Sequence, residues 1–151
     1  MGLGIKNYFA LAASMSVTSS TALATATGMV LTVATGQTWN IRGFFPFSVA
    51  GTAPGAKFAL TPSGALTSYV ASWLMWDLTT ATKVLFSGDT QVAQAAFGAT
   101  LNVTGDHLQE VNATIVFAAA GTLSLQFAQN VSDAAASVLI AGSFMECTLV
   151  S

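Results

Sequence analysis

Apolar side chains recur at every second position along most of the chain, and the three-to-four spacing of an amphipathic helix is hard to find. Met29, Leu31 and Val33 share one face of a short predicted strand that Gly36 ends. Trp39, Ile41, Phe45 and Phe47 alternate through the next strand. Pro46 lies inside that run, and because proline cannot donate to a ladder it predicts an edge position or a bulge near Gly43 and Phe44. Residues 50–55 read as a turn, and 57–61 as a strand closed by Pro62, Ser63 and Gly64. Over 68–77, Tyr69, Trp73 and Met75 fall on one face and Val70, Leu74 and Trp76 on the other. A strand that is apolar on both sides is central to a sandwich or covered by a partner.

The second half continues in the same style. Short strands are predicted over 83–86 and 99–104, and a long one over 107–119 with Val111, Ala113, Ile115 and Phe117 on one face. Gly121 turns the chain into 122–129, where Leu123, Leu125 and Phe127 alternate. Residues 130–133 are a loop, and strands over 137–140 and 144–150 follow, split by Gly142. Residues 90–97 suit either a helical turn or a strand. Many short strands at spacings of about 8–12 residues, with Gly, Asn and Asp between them, predict an all-β fold, an antiparallel β-sandwich or jelly roll. Residues 1–28 read as an extended N-terminal arm on a single domain spanning 29–151.

Composition sharpens this picture. The 151 residues carry four Lys and Arg and six Asp and Glu, so 7% are charged, while 53% are hydrophobic. Soluble domains carry about 25% charged residues. Such a surface has little charge to keep molecules apart, which points to faces packed against copies of itself or a larger assembly. The net charge of -2 and the scattered Lys6, Arg42, Lys57 and Lys83 leave no footprint for nucleic acid. Ser, Thr and Gly interrupt the charge-free stretch 7–41, so no segment reads as a membrane-spanning helix. A membrane barrel calls for more charge in its lumen and loops. Lys6, residues 8–13 and Ala22-Leu23-Ala24 have the order of a secretory signal. Ser14, Ser16, Thr18, Ser19 and Ser20 dilute its apolar core, and the chain starts at Met1, so the arm reading is preferred. Cys147 is the single cysteine and sits among alternating apolar residues, as a buried inert thiol does. No internal disulfide can form, which is compatible with assembly in a reducing cytoplasm.

Candidate chemistry is sparse. His107, the one histidine, is flanked by Asp106 and followed by Glu110, a set able at most to ligate a cation weakly. Neighbouring residues on a strand point to opposite faces, so Asp106 cannot orient the ring for a hydrolytic triad. One His and one Cys cannot build a zinc site. Nothing pairs Asp77 with Asp89, and Gly2-Leu3-Gly4-Ile5 lacks the strand–helix context of a phosphate loop. The glycosylation triplets at Asn102, Asn112 and Asn130 arise readily by chance in a Thr-rich chain. The expectation is a protein with no catalytic residues, no metal and no cofactor. The aromatic residues suit a core or a subunit interface better than a sugar-binding groove. Parity places Trp73 and Trp76 on opposite faces.

Several segments together resemble a known family. They are Gly28-Met29-Val30-Leu31-Thr32-Val33-Ala34-Thr35-Gly36-Gln37-Thr38-Trp39, Gly43-Phe44-Phe45-Pro46-Phe47-Ser48, Gly121-Thr122-Leu123-Ser124-Leu125-Gln126-Phe127-Ala128-Gln129-Asn130 and Ala141-Gly142-Ser143-Phe144-Met145-Glu146. Their order and spacing resemble a β-sandwich domain of tailed-bacteriophage virion proteins, found at fibre ends and as small decoration (cement) proteins. The resemblance runs over about residues 17–150. It implies a jelly roll akin to the tumour-necrosis-factor-like trimers, a homotrimer, and no shared catalytic residues. The absence of a long shaft and a start at Met1 favour a capsid decoration protein over a fibre tip. That reading implies a virion location on the capsid surface after assembly in the host cytoplasm, the phage major capsid protein as partner, and no contact with nucleic acid or membrane. Lys6, Tyr8 and Phe9 of the arm are the expected contacts with capsid or a neighbouring protomer. Tyr69, Trp73 and Trp76 are the expected trimer interface. The alternative is a fibre-tip or receptor- and glycan-binding module, with an enzyme such as a depolymerase behind it.

Overall fold

The computed structural model describes residues 4–51, 54–78 and 105–151, and the backbone of 82–89 and 97–99. Its twelve described strands are β1 (Lys6–Ala10), β2 (Met15–Val17), β3 (Ala24–Val33), β4 (Thr38–Val49), β5 (Ala56–Pro62), β6 (Leu66–Asp77), β7 (Thr82–Asp89), β8 (Phe97–Ala99), β9 (Gly105–Phe117), β10 (Gly121–Ala128), β11 (Ser137–Leu139) and β12 (Phe144–Leu149). No described residue is helical.

Pairing is nested and antiparallel. β1 pairs with β12, β3 with β10, β4 with β9, and β5 with β8. The chain thus doubles back as one long ribbon, and the ribbon is rolled so that successive pairs alternate between two sheets. The larger sheet runs β1-β12-β4-β9-β6-β7, and the smaller runs β3-β10-β5-β8. This wrapping is a jelly roll. The β6–β7 hairpin is inserted between β5 and β8 and widens the larger sheet beyond β9.

The period-two pattern works as predicted because each sheet buries one face against the other. Trp39, Ile41, Phe45 and Phe47 of β4, Val111, Ile115 and Phe117 of β9, and Met145 and Cys147 of β12 point inward. Met29 and Leu31 of β3 meet them with Leu123, Leu125 and Phe127 of β10. Phe58 of β5 lies at the centre, its ring 5.1 Å from Phe47, 5.1 Å from Phe127 and 6.0 Å from Phe45. Burying one such aromatic contributes about 2–3 kcal/mol, so this ring group is a principal bond between the sheets.

Three expectations are corrected or refined. β4 is not an edge strand, and its ladder with β9 has no register shift from Thr38 to Val49. Pro46 is tolerated because a strand residue points its N–H and C=O to the same side. The Pro46 carbonyl accepts from Ile140 N–H at 2.9 Å, so its missing donor faces the break between β11 and β12, where no ladder bond is lost. Gly43 is not a bulge either. The Phe45 ring lies across it and fills the space a Cβ would need.

The N-terminal stretch expected as an arm is built into the fold. β1 and β2 form an interrupted edge strand of the larger sheet, matched to the interruption between β11 and β12. At the corner Leu11 is buried, its N–H donates to Ser143 O at 2.8 Å, and its carbonyl accepts from Gly142 N–H at 2.9 Å. β3 then starts at Ala24, inside the same stretch. The helical turn or strand expected over 90–97 and most of the strand expected over 99–104 lie outside the described residues, apart from β8.

Candidate functional site

Because the inward parity is saturated by the core, chemistry at the surface depends on the outward residues of the larger sheet. The register sets them in rows across the strands. One row is Tyr8, Glu146, Arg42, Asn112 and Ser72. The next is Ala10, Phe144, Phe44, Glu110 and Leu74, and beyond it lie Pro46, Leu108 and Trp76.

The second and third rows form a mostly apolar band. Phe44 and Phe144 stack with centroids 5.2 Å apart, and Phe144 remains 40% exposed. Leu74, Leu108, Pro46 and Trp76 are half-buried. The one charge within the band, Glu110, accepts from Trp76 Nε1 at 3.0 Å. A largely apolar strip on a sheet face, whose one carboxylate already accepts a hydrogen bond, is suited to close packing against another surface.

The first row is polar. Lys6 Nζ and Glu146 Oε1 form an ion pair at 3.0 Å. That hydrogen bond and charge hold the Lys6 ammonium above its ordinary value and the Glu146 carboxyl below its own. Tyr8 stands beside them 65% exposed. Toward β6 the face dips into a shallow depression lined by Asn40, Arg42, Val70, Ser72, Asn112 and Thr114. The Thr114 hydroxyl donates to Asn40 Oδ1 there at 2.9 Å.

The outer face of the smaller sheet differs. Thr61 Oγ1 donates to Gln126 Oε1 at 2.6 Å, Gln126 Nε2 donates to Thr25 Oγ1 at 3.4 Å, and Ser124 Oγ donates to the Thr61 carbonyl at 3.3 Å. Hydroxyls and amides that satisfy one another in this way suit contact with water.

The expected site residues separate on these surfaces. Lys6 and Tyr8 stand outward, whereas Phe9 is half-buried and packs against the core. Tyr69 and Trp73 are 3% and 2% exposed, so their area is used inside the protomer and cannot meet a neighbour. Of the three aromatic residues expected at the trimer interface, Trp76 alone reaches the surface band. The residues that sequence order did not single out are Phe44, Phe144 and Leu108. Each is out of phase with its inward neighbours, and that parity is the signal that marks them.

Asp106, His107 and Glu110 are not brought together. His107 points inward and is wholly buried, while Asp106 and Glu110 point outward. His107 Nδ1 instead lies 3.4 Å from Asp77 Oδ1. Asp89 pairs with Ala71, halfway along β6 from Asp77. Among the described residues no three His, Cys, Asp or Glu side chains converge. Burial pushes the Cys147 thiol up to about 12, so it stays protonated at neutral pH. Of the glycosylation triplets, Asn112 is exposed in mid-strand, Asn130 is in a loop, and Asn102 lies outside the described residues.

No protein-family model matches the sequence, and no curated protein sequence matches it. Among solved structures the chain is similar to Eiger TNF from S. frugiperda, at 8% identity and a TM-score of 0.47, over 98% of this chain and 93% of that one. It is similar to a chain of infectious bursal disease virus, Gt strain, at 10% identity and a TM-score of 0.26, over 97% of this chain and 37% of that one. It is also similar to a family two carbohydrate esterase from Cellvibrio japonicus, at 10% identity and a TM-score of 0.22, over 94% of this chain and 35% of that one. At these values the likenesses carry no weight for function. The jelly roll rests on this chain's own strand pairing.

Proposed function

We propose that this protein is a structural component of a tailed-phage virion, a homotrimeric decoration (cement) protein that binds the major capsid protein on the head exterior. It acts without catalysis, by adding contact area that bridges capsid subunits against the pressure of the packaged genome. The observation that carries the reading is the apolar band of Phe44, Phe144, Leu74, Leu108 and Trp76 on the outward face of the larger sheet. In a chain with so few charges, this face is the surface best fitted to pack against another copy. A standard interface covers about 800 Å² per partner, and the band crosses four neighbouring strands, β12, β4, β9 and β6. Threefold packing brings a different surface of the neighbour onto the band. The Trp76–Glu110 bond meets one oxygen of the one carboxylate that packing would bury there, so the neighbour must bring a donor to the other. The sequence resemblance to phage virion domains supports the virion setting. Light scattering on the purified protein tests self-association: a trimer has three times the 15.4 kDa chain mass, and a monomer at micromolar concentration contradicts the reading.

The alternative, a fibre-tip module that binds receptor glycans, is favoured by one feature. Tyr8 stands in the same row as Arg42 and Asn112, which line the shallow depression. An exposed aromatic ring on one face with amides and hydroxyls suits a sugar. A glycan array with no bound sugar removes this reading.

A further inference from the structure

One buried titratable group has no part in the assembly surface. His107 sits at the start of β9 with no exposed area, facing into the sandwich. On one side it is in register with Phe47 of β4, whose ring centroid is 5.1 Å from its own. On the other side it is in register with Asp77, the last residue of β6. Nδ1 lies 3.4 Å from Asp77 Oδ1, but neither ring nitrogen makes a hydrogen bond of good geometry. A buried imidazole in that condition is costly in either protonation state.

The position gives the pair leverage. β6 holds the inserted hairpin onto the larger sheet through its ladder with β9, and the Asp77–His107 pair is the last rung of that ladder. The chain leaves it at Leu78, whose N–H donates to Asp106 O at 3.2 Å. β7 then returns along β6 alone. An opening that starts at this rung frees the end of the hairpin and borders the Phe58 group only through Phe47.

We propose that the buried Asp77–His107 pair is an acid-sensitive catch, which holds the end of the β6–β7 hairpin on β9 near neutral pH and releases it on acidification. Protonating His107 in place puts a cation beside the Phe47 ring at a position with no exposed area, where loss of water costs more than the Asp77 carboxylate 3.4 Å away returns. Among the described residues, the charges that act on the imidazole are Asp77 from β6 and the exposed Asp106 on its own strand. β4 contributes Phe47, which carries no charge. Both carboxylates favour the cation, yet burial outweighs them and lowers the His107 pKa from its ordinary 6.5. An opened segment therefore takes up the proton more readily than the closed one. The closed form is fully favoured above about pH 6.5 and loses ground as pH falls below it. The catch does not depend on the assembly reading, since it acts within one protomer.

The test is hydrogen exchange of the full chain between pH 7.5 and 5, corrected for intrinsic exchange, alongside the ring titration of the chain's single histidine by NMR. Peptides covering residues 74–78 and 105–110 should lose protection below pH 6.5, by up to about tenfold per pH unit for one proton. Peptides covering 29–33 and 121–127 should not. The imidazole midpoint should lie below 6.5, and H107Q should flatten the pH dependence of the first two peptides. A midpoint at or above 6.5, or an equal loss in all peptides, overturns the proposal. So does a folded H107Q that keeps the wild-type pH profile. If H107Q does not fold, the wild-type titration and peptide pattern decide alone.

Discussion

Gln129 offers a sharp test of how the N-terminal strap is held. Its side chain has no exposed area and makes four hydrogen bonds. Oε1 accepts from Ser20 N–H and Asp133 N–H, each at 3.2 Å, and Nε2 donates to the Asp133 carbonyl at 3.1 Å and the Ala135 carbonyl at 2.7 Å. It thus ties the end of β10 to the 130–136 loop and to the segment that leads from β2 to β3. Next to it Ser19 has φ of 50°, a left-handed conformation that a serine adopts only when held, and its N–H donates to Asp133 O at 2.7 Å. Gln129→Leu keeps the bulk and removes every bond. At about 1 kcal/mol net for each bond, with water reaching the partly exposed Ser20, the loss should be about 3–4 kcal/mol. That is a large share of the roughly 5–15 kcal/mol available to a domain. In urea the midpoint should fall with an unchanged slope, and exchange protection over 15–22 should drop before that of β10. A loss below about 1 kcal/mol would refute the hub, and an unchanged strap would show that the β1–β12 and β2–β11 ladders suffice without it.

Other outcomes follow from single residues. Phe144→Lys should leave the fold intact but weaken self-association. The exposed 40% of the ring is about 80 Å²; covering it contributes about 2 kcal/mol per interface, so the dissociation constant measured by sedimentation should rise about 30-fold. Gly43→Ala should cost about 1–3 kcal/mol in a denaturation series, because the new methyl meets the Phe45 ring in a filled core. Cys147 should resist a thiol reagent at pH 8 in the folded protein and react fully in denaturant, since its thiol is buried and pushed up to about 12. Rapid labelling of the native state would contradict its placement.

Much of the fold was legible because a sandwich imposes parity. Met29, Leu31 and Val33, or Val111, Ala113, Ile115 and Phe117, could be assigned to one face from spacing alone. Parity does not say which strand lies beside which. The nested pairing joins residues as distant as Lys6 and Thr148, and no local pattern carries that information. The strap was opaque for the same reason: β1 and β2 are short, five and three residues, and become strands by finding β12 and β11. Pro46 looked like an edge marker because the break on its donor side is a tertiary fact. Surface chemistry was half legible. Parity put Trp76 on the face opposite Tyr69 and Trp73, but in a strand apolar on both sides it did not say which face is buried, and all three were expected at the interface. Phe44 and Phe144 meet only through the β4–β12 register, and Asp77 meets His107 only through the β6–β9 register.

If this jelly roll acts through assembled surface on a phage head, as proposed, cryo-electron microscopy of the virions must locate the protein there and count its copies. Threefold clusters in many copies on the capsid exterior are expected, with the Phe44–Phe144 band covered by a neighbouring protomer. A few copies at a tail fibre, isolated monomers, or absence from the particle would contradict it.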